Sequence, residues 1–254
     1  MLKKIGTYLA HYLSKPRDEL RFSTSRPGEL GNCLQKGDVL LVEGTSRFSS
    51  AIKYLTQSSW SHAAIFVDDA VHQTNDNGET LNLIEADIIE GVRAVPLRVY
   101  ESIHTRICRP VGLDKNEINA LLLHLINRLG HTYDLKNIFD LLRYFVTTPP
   151  VPSSWKRNML AFGSGDPTRA ICSSIIAEAF QSIKYPILPD IKLLKCKTSE
   201  GKRYQKEIMH IRHHSLFTPR DFDVSPFFDI IKPTLNQDFN FHDVRLEPDT
   251  TNKF

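Results

Sequence analysis

The sequence has few cysteines, no long apolar stretch and no strong excess of one charge. Its 4 cysteines stand at positions 33, 108, 172 and 196, and none has the C-x-x-C spacing of a zinc finger, so we expect no structural zinc. No apolar stretch approaches the length that crosses a bilayer, which argues against a membrane span. The net charge of +3 is scattered, without a Lys/Arg block, and this argues against a nucleic-acid partner.

What is present is the composition of an ordinary globular protein. The chain has 254 residues, of which 41% are hydrophobic and 24% charged, enough to bury a substantial core. Its first residues lack an unbroken apolar segment followed by small residues, so we expect no signal peptide. We therefore predict reduced thiols and a cytoplasmic location.

The first 35 residues read as an arm and a linker. Apolar residues recur at helical spacing among lysines, which predicts a short amphipathic helix; they are Leu2, Ile5, Leu9, Tyr12 and Leu13. Such a helix either docks on the domain or makes weak contact with a membrane surface, which would make the protein peripheral to a membrane. Residues 16–35 are polar and contain Pro16, Pro27 and Gly28, as in a linker.

Strand patterns dominate the next part of the chain. The run VLLV at 39–42 lies between glycines, as in a strand buried on both faces. A helix-like stretch, RFSSAIKYLTQSS, separates it from the strand pattern SHAAIFVDD. LNLIEA, GVRAVPL and RICR are three further strand candidates, with a turn at 75–78 before them. Short connections between them predict a mostly antiparallel sheet.

Helical patterns follow the strands. Asp114 and Glu117 form a capping box ahead of an apolar stripe that ends near Gly130. A second helix is expected after Asp134, then an irregular loop at 147–170. Strands first and helices later predict an α+β fold. We place the domain at residues 36–224, with the 147–170 loop inserted in it and a C-terminal extension at 225–254.

Cys172 opens the helix-like segment ICSSIIAEAF. One interpretation is a buried cysteine that packs as a small hydrophobe. The other is a nucleophile, because a cysteine in the first turn of a helix lies near unpaired amides and the positive end of the dipole, which stabilise thiolate. A helix that began at Asp166–Pro167 would place Cys172 one turn inside and weaken this effect.

His62 and Glu85 are the candidate base and orienting acid. His62 opens a strand pattern, and its ordinary pKa suits a proton acceptor for a thiol; a structural histidine is the alternative. Glu85 stands in an apolar strand, where a carboxylate either points to solvent or is paired. Asp87 and Glu90 are rival acids. The histidines at 210, 213 and 214 lack an acid or cysteine to complete a metal site, so we expect no metal.

These segments resemble a known family. GDVLLVEG, WSHAAIFV, LIEA with GVRAVPL, Tyr133–Asp134, ICSSIIAEAF and FTPRDFD resemble the circularly permuted papain-like enzymes, closest to the YiiX/YaeF-like group. Its wider relatives are the NlpC-type cell-wall peptidases and the lecithin retinol acyltransferase-like enzymes. The histidine precedes the cysteine, as the permutation requires. The resemblance implies a circularly permuted papain-like fold, a mostly antiparallel sheet packed against a helical layer, over residues 36–224.

The resemblance also implies roles for individual residues. Cys172 would be the nucleophile, His62 the base, Glu85 the orienter and Tyr133 a residue that lines the substrate site. Asp38, in the Gly-Asp opening, would be structural. The Cys172 backbone N–H would stabilise the oxyanion. This chemistry needs neither a metal nor an organic cofactor.

The sequence therefore predicts a cysteine-dependent hydrolase or acyltransferase acting on an amide, ester or thioester. Two substrate classes remain open, a small peptide or amino-acid amide and a lipid acyl group. Bulky apolar residues in the 147–170 loop favour lipid, and a cytoplasmic location argues against intact cell wall. A non-catalytic binding or interaction protein that retains the fold is the alternative from another class.

Overall fold

The computed structural model describes residues 23, 28–87, 90–132, 171–197, 203–210, 213–214 and 217–233. In these residues the α-helices are α1 (Glu29–Cys33), α2 (Arg47–Thr56), α3 (Lys115–Ile126), α4 (Ile171–Ser182) and α5 (Pro219–Asp223). The strands are β1 (Val39–Val42), β2 (His62–Phe66), β3 (Leu83–Asp87), β4 (Gly91–Val95), β5 (Thr105–Pro110), β6 (Asp190–Lys197), β7 (Arg203–His210) and β8 (Phe228–Ile231). A 3₁₀ turn covers Leu97–Val99. No helix in these ranges is both long and apolar enough to cross a bilayer.

Six strands form one open sheet in the order β4-β3-β2-β1-β5-β8. Each neighbouring pair is antiparallel, which confirms the prediction of a mostly antiparallel sheet in a mixed α/β protein. Strands β6 and β7 pair with each other in a separate hairpin.

The sheet is covered on both faces, as the continuous apolar run of β1 predicts. Alternate residues of each strand point to opposite faces. Val39 and Leu41 pack with helices α3, α4 and α5 in the larger core. Leu40 and Val42 pack in a second core with helix α1, Leu97 and Tyr100. We refer to these as the helical face and the α1 face.

An aromatic cluster anchors α4 to the β8 side of the helical face. The Phe180 ring lies 5.2 Å from Phe228 and 5.4 Å from Tyr185, measured between ring centroids. Phe180 is fully buried, and burial of such a side chain contributes about 1.5–3 kcal/mol to stability. The Tyr185 hydroxyl oxygen lies 2.6 Å from the Phe227 carbonyl oxygen and 2.9 Å from the Val111 carbonyl oxygen, and its single hydrogen donates to one of them at a time. This contact joins the end of α4 to the Pro110 end of β5.

Several local predictions are confirmed. The 39–42 strand, the α2 helix and the SHAAIFV strand form where the patterns indicate. The capping box is present: the Asp114 carboxylate accepts from the Glu117 backbone N–H at 2.9 Å, and the Glu117 carboxylate accepts from the Asp114 N–H at 2.9 Å. Helix α3 ends at Ile126, and Gly130 follows with a φ of +80°.

The structure differs from the sequence-based expectations in the last part of the chain and in the two predicted flanking segments. His210, one of the three histidines weighed as metal ligands, is the last residue of β7, and residues 228–231 form a strand of the main sheet. Residues from both predicted flanking segments enter the cores, among them Leu30 and Phe228. The N-terminal amphipathic helix, the helix after Asp134 and the 147–170 loop lie outside the described residues.

Candidate functional site

His62 stands at the end of the sheet because it is the first residue of β2. It pairs in register with Val42, the last residue of β1. The chain leaves β1 at Gly44, whose backbone N–H donates to the Ser61 hydroxyl at 2.9 Å. A side chain at position 44 would place its Cβ 2.3 Å from the Ser49 hydroxyl oxygen, so a larger residue here would force the Ser49 side chain to move. The His62 side chain is 23% exposed, and solvent therefore reaches the ring.

The structure brings Glu85 to His62. Glu85 lies in β3, opposite Ala64, and its side chain is only 1% exposed. The Glu85 Oε2 atom lies 2.8 Å from the His62 Nε2 atom. Asp87 and Glu90 instead form ion pairs with Arg93. Of the three acids that the sequence offers, Glu85 is the one whose carboxylate meets the ring at this distance.

Two residues that sequence reasoning missed hold the Glu85 carboxylate. Arg93 stands directly opposite Glu85 in register, and its Nε and one terminal nitrogen reach Oε1 at 2.9 and 2.8 Å. The Tyr100 hydroxyl donates to Oε2, the same oxygen that meets His62. Arg93 also pairs with Glu90 at 2.9 Å and Asp87 at 3.7 Å. The carboxylate thus has partners on both oxygens.

These contacts decide the charge of Glu85. Burial is the largest influence and would raise the pKa of the carboxyl group. The charge and hydrogen bond of His62, the charge of Arg93 and the hydrogen bond of Tyr100 together outweigh it, and the pKa falls to about 2. Glu85 is therefore ionised at neutral pH. An ionised carboxylate only accepts hydrogen bonds, so His62 donates through Nε2.

Cys172 lies in helix α4, at the end nearer His62. The opposite end of α4 is joined through Tyr185 to the Pro110 end of β5. A helix of 12 residues spans about 18 Å, which is similar to the roughly 13–20 Å length of the strands in the main sheet. The next residue, Ser173, donates to the Phe217 carbonyl oxygen at 2.8 Å. The chain after Phe217 leads into α5, whose last residue, Asp223, accepts a hydrogen bond from the Trp60 indole two residues before β2. The position of the Cys172 side chain lies outside what the structure describes.

His62 and α4 belong to different faces of the sheet. His62 and Glu85 alternate with residues that contact the helices, so their side chains project on the α1 face. Helix α4 packs against β2 and β3 on the helical face. A Cys172 sulfur that meets the His62 ring must therefore do so past the end of the sheet, not through it. The position of His62 at the first residue of β2 leaves this route available.

A second polar cluster, also missed from the sequence, ties α5 to this end of the sheet. The Trp60 indole N–H donates to Asp223 at 3.0 Å, and Arg106 reaches the other Asp223 oxygen at 2.5 Å. The Arg106 guanidinium lies 5.0 Å from the centre of the Trp60 ring. Trp60 precedes His62 by two residues, so the cluster fixes the entry of β2. The available sequence signal was the tryptophan itself, which directly precedes the strand pattern SHAAIFVDD.

The other three cysteines are the thiols with which the reactivity of Cys172 is compared. Cys33 and Cys108 are buried and not in disulfides. Burial, the largest cause, strongly raises the pKa of the Cys108 thiol. Cys196 lies in β6. We therefore expect Cys108 to be a poor nucleophile.

The other predicted site residues have different outcomes. Tyr133 lies outside the described residues, so its role stays a prediction. His213 and His214 are neighbours, with ring centroids 4.2 Å apart. Within the described ranges no group of three or more His, Cys, Asp or Glu side chains is arranged to hold a metal ion. Asp38 is buried and accepts from Arg109 at 2.7 and 2.9 Å, a structural contact.

No protein-family model and no curated protein matches the chain. The crystal structure of the metalloprotein yiiX from Escherichia coli O157:H7, which also carries the description DUF1105, is similar to this chain at 18% sequence identity and a TM-score of 0.44. The match covers 78% of this chain and 96% of that one.

Proposed function

We propose that this protein is a cysteine-dependent hydrolase or acyltransferase of the circularly permuted papain-like type, with Cys172, His62 and Glu85 as its triad. The observation that carries the proposal is the bond between the buried, ionised Glu85 and His62 Nε2, 2.8 Å long. A buried carboxylate destabilises the fold unless its charge is paired and hydrogen-bonded. Here it orients a histidine that is itself open to solvent, as an acyl-transfer site requires.

The proposal gives each ring nitrogen of His62 a separate role. Nε2 donates its hydrogen to Glu85, so Nδ1 is the atom that accepts the Cys172 proton. The thiolate attacks the carbonyl carbon of an amide, ester or thioester, and the Cys172 backbone N–H stabilises the oxyanion. Imidazolium then returns the proton to the leaving group, which departs and leaves an acyl-enzyme. Water, or an acceptor in the transferase case, attacks the acyl carbon and releases the thiol.

Glu85 contributes chiefly through charge. It is ionised, and a carboxylate beside the ring favours the imidazolium that forms when the thiol loses its proton. The same contact fixes the tautomer, because the carboxylate accepts only. His62 is therefore presented to a thiol with Nδ1 as the acceptor.

The substrate proposal keeps two classes, a small peptide or amino-acid amide and a lipid acyl group. We also propose a cytoplasmic location, with the N-terminal arm as the segment for any weak contact with a membrane surface, and Tyr133 as a substrate contact. A panel of aminoacyl amides and fatty-acyl esters separates the two classes. Cys172→Ala provides the blank, and turnover that depends on Cys172 identifies the substrate class.

The first test of the proposal is thiol reactivity. Cys172 should react with iodoacetamide faster than Cys33, Cys108 and Cys196 at pH 6–7, because His62 favours its thiolate. Mass spectrometry of the digested protein measures each rate separately. His62→Ala should slow the Cys172 rate by about 10² or more, the lower range for general acid–base assistance.

A matched control is His104→Ala, since His104 is a second half-buried histidine at this end of the sheet and bonds Glu43 at 2.9 Å. That variant should leave the Cys172 rate unchanged. Uniformly slow labelling of all four thiols would instead favour a non-catalytic binding protein. Substrate turnover that persists in Cys172→Ala would overturn the catalytic assignment.

A further inference from the structure

The Glu85 carboxylate contacts Arg93 and Tyr100 as well as His62. We infer that Arg93 and Tyr100 are positioning residues, which keep Glu85 ionised and aimed at His62 and through it set the tautomer of the ring. This inference rests on the proposed function and extends its machinery from the three triad residues to five. Neither residue contacts the reacting atoms; each acts through Glu85.

Arg93 supplies the charge. Its strand places it opposite Glu85, and two of its nitrogens converge on Oε1 at 2.9 and 2.8 Å. Its own side chain is 33% exposed and is braced on the outer side by Asp87 and Glu90. The guanidinium therefore sits between a buried acid and a pair of more exposed ones. A carboxylate that is 1% exposed keeps its charge only if a cation of this kind compensates it.

The turn before β4 makes this register possible. Gly91 has a φ of +76°, a conformation that favours glycine. A Cβ at this position would lie 2.3 Å from the His131 carbonyl oxygen. The chain can therefore begin β4 here only with glycine, and Arg93 follows two residues later on the face that Glu85 occupies.

Tyr100 supplies the orientation. The 3₁₀ turn Leu97–Val99 returns the chain to the α1 face, where Tyr100 is 7% exposed. Its hydroxyl donates to Oε2, and its ring centroid lies 6.0 Å from that of His62. With Arg93 on Oε1 and Tyr100 on Oε2, rotation of the carboxylate would break at least one bond. His62 Nε2 thus meets an oxygen that is already fixed in place.

This division of contacts has a chemical consequence. A protonated Glu85 could donate to Nε2, which would move the ring hydrogen to Nδ1 and remove the atom that accepts the thiol proton. An ionised Glu85 cannot. The charge of Arg93 disfavours the protonated form of Glu85, and the Tyr100 hydrogen bond keeps the accepting oxygen in line with Nε2.

The experiment measures the iodoacetamide rate of Cys172 against pH in the full-length protein. The pH at which reactivity falls on the acid side should move upward by about one unit in Arg93→Gln, since an adjacent cation lowers a carboxyl pKa by 1–3 units. Arg93→Lys should restore most of the wild-type profile. Tyr100→Phe should lower the rate severalfold and move the acid limb in the same direction by less.

Arg98→Gln is the matched control, because Arg98 forms a surface ion pair with Glu79 and its side chain is 75% exposed. This variant should reproduce the wild-type profile. If Arg93→Gln and Tyr100→Phe also keep that profile while Glu85→Gln loses reactivity, the positioning roles are wrong and the triad stands. If Cys172 is no more reactive than the other thiols in the wild type, the proposed function fails first.

A second measurement does not depend on the thiol. In the Cys172→Ala protein, nitrogen-15 NMR reports which ring nitrogen of His62 carries the hydrogen. The expected result is hydrogen on Nε2, and a weaker preference for that tautomer in Arg93→Gln and Tyr100→Phe, because the accepting oxygen is then less firmly held in line with Nε2. An unchanged tautomer in both variants would overturn the inference even if one variant were too unstable for the rate measurement.

Discussion

Two carboxylates are buried in the sheet region, Asp38 directly before β1 and Glu85 in the middle of β3, and their surroundings differ. Asp38 and Glu85 are each 1% exposed, and each is bound by an arginine from another strand. Asp38 has Arg109 and the Gln35 backbone N–H as partners. Glu85 has, in addition to its arginine, a tyrosine hydroxyl and a solvent-accessible histidine. Asp38 therefore connects structural groups, whereas Glu85 connects the interior to a histidine that solvent reaches.

The pKa values of the two acids move in opposite directions. At Asp38, burial outweighs the bonds from Arg109 and Gln35, and the pKa is raised. At Glu85, burial is outweighed by His62, Arg93 and Tyr100, and the pKa is about 2. Burial and one arginine are thus not sufficient to hold a carboxyl group strongly acidic. The additional donors at Glu85 make the difference, and these donors are what the candidate site consists of.

The largest effect that we predict separates the two acids by stability. Asp38→Ala should lower the free energy of unfolding by about 3–5 kcal/mol, because it leaves the Arg109 guanidinium without its buried partner. Urea unfolding at pH 7 measures this loss. The Cys172 rate of the folded fraction should stay at the wild-type value, and a rate that fell along with stability would contradict the structural role of Asp38.

The next effect concerns the acid range of stability. Since the folded pKa of Glu85 lies below its ordinary value of 4.5, its contribution is complete above about pH 4.5 and is lost as the pH falls toward 2. Glu85→Gln should therefore remove part of this acid-dependent loss, on the order of 1–3 kcal/mol. Urea unfolding at pH 3, 5 and 7 measures the slope.

Asp38→Asn is the opposite arm of that experiment. A raised folded pKa means that the Asp38 contribution declines as the pH rises from 3.8 through the folded value. The asparagine variant should therefore change the slope in the other sense. Equal changes of slope in the two variants would show that the two carboxyl groups do not differ as described.

Much of the fold could be predicted because many of its helices and strands have a characteristic pattern within their own short stretch of sequence. The VLLV run, the Asp114–Glu117 capping box and the apolar stripe of α4 each carry their own pattern. Strands β6 and β7 carry mixed charge and apolar residues, and their pairing with each other, not their composition, makes them strands. The short β8 depends likewise on its register with β5. These elements are defined by long-range pairing, which a linear pattern does not contain.

The site divides in the same way. His62 and Glu85 could be predicted because each stands out against an apolar strand. Arg93 and Tyr100 could not, since their roles arise from a cross-strand register and from a 3₁₀ turn that returns the chain to the sheet. The Gly91 turn was the available signal: pairing of the strands on either side of it places Arg93 opposite Glu85. The family resemblance favoured Glu85 over the rival acids Asp87 and Glu90, and the 2.8 Å contact with His62 Nε2 agrees with that choice.

The most direct test of the triad is whether position 62 and Cys172 meet past the end of the sheet. In His62→Cys, mild oxidation should join the two cysteines, since a disulfide requires Cβ atoms about 3.5–4.5 Å apart. Asp69→Cys is the control, because Asp69 is exposed and follows the far end of β2. Peptide mapping should find the 62–172 disulfide within minutes and no 69–172 disulfide. A 62–172 disulfide that formed no faster than the control would contradict the proposal that the thiol and the ring form one site.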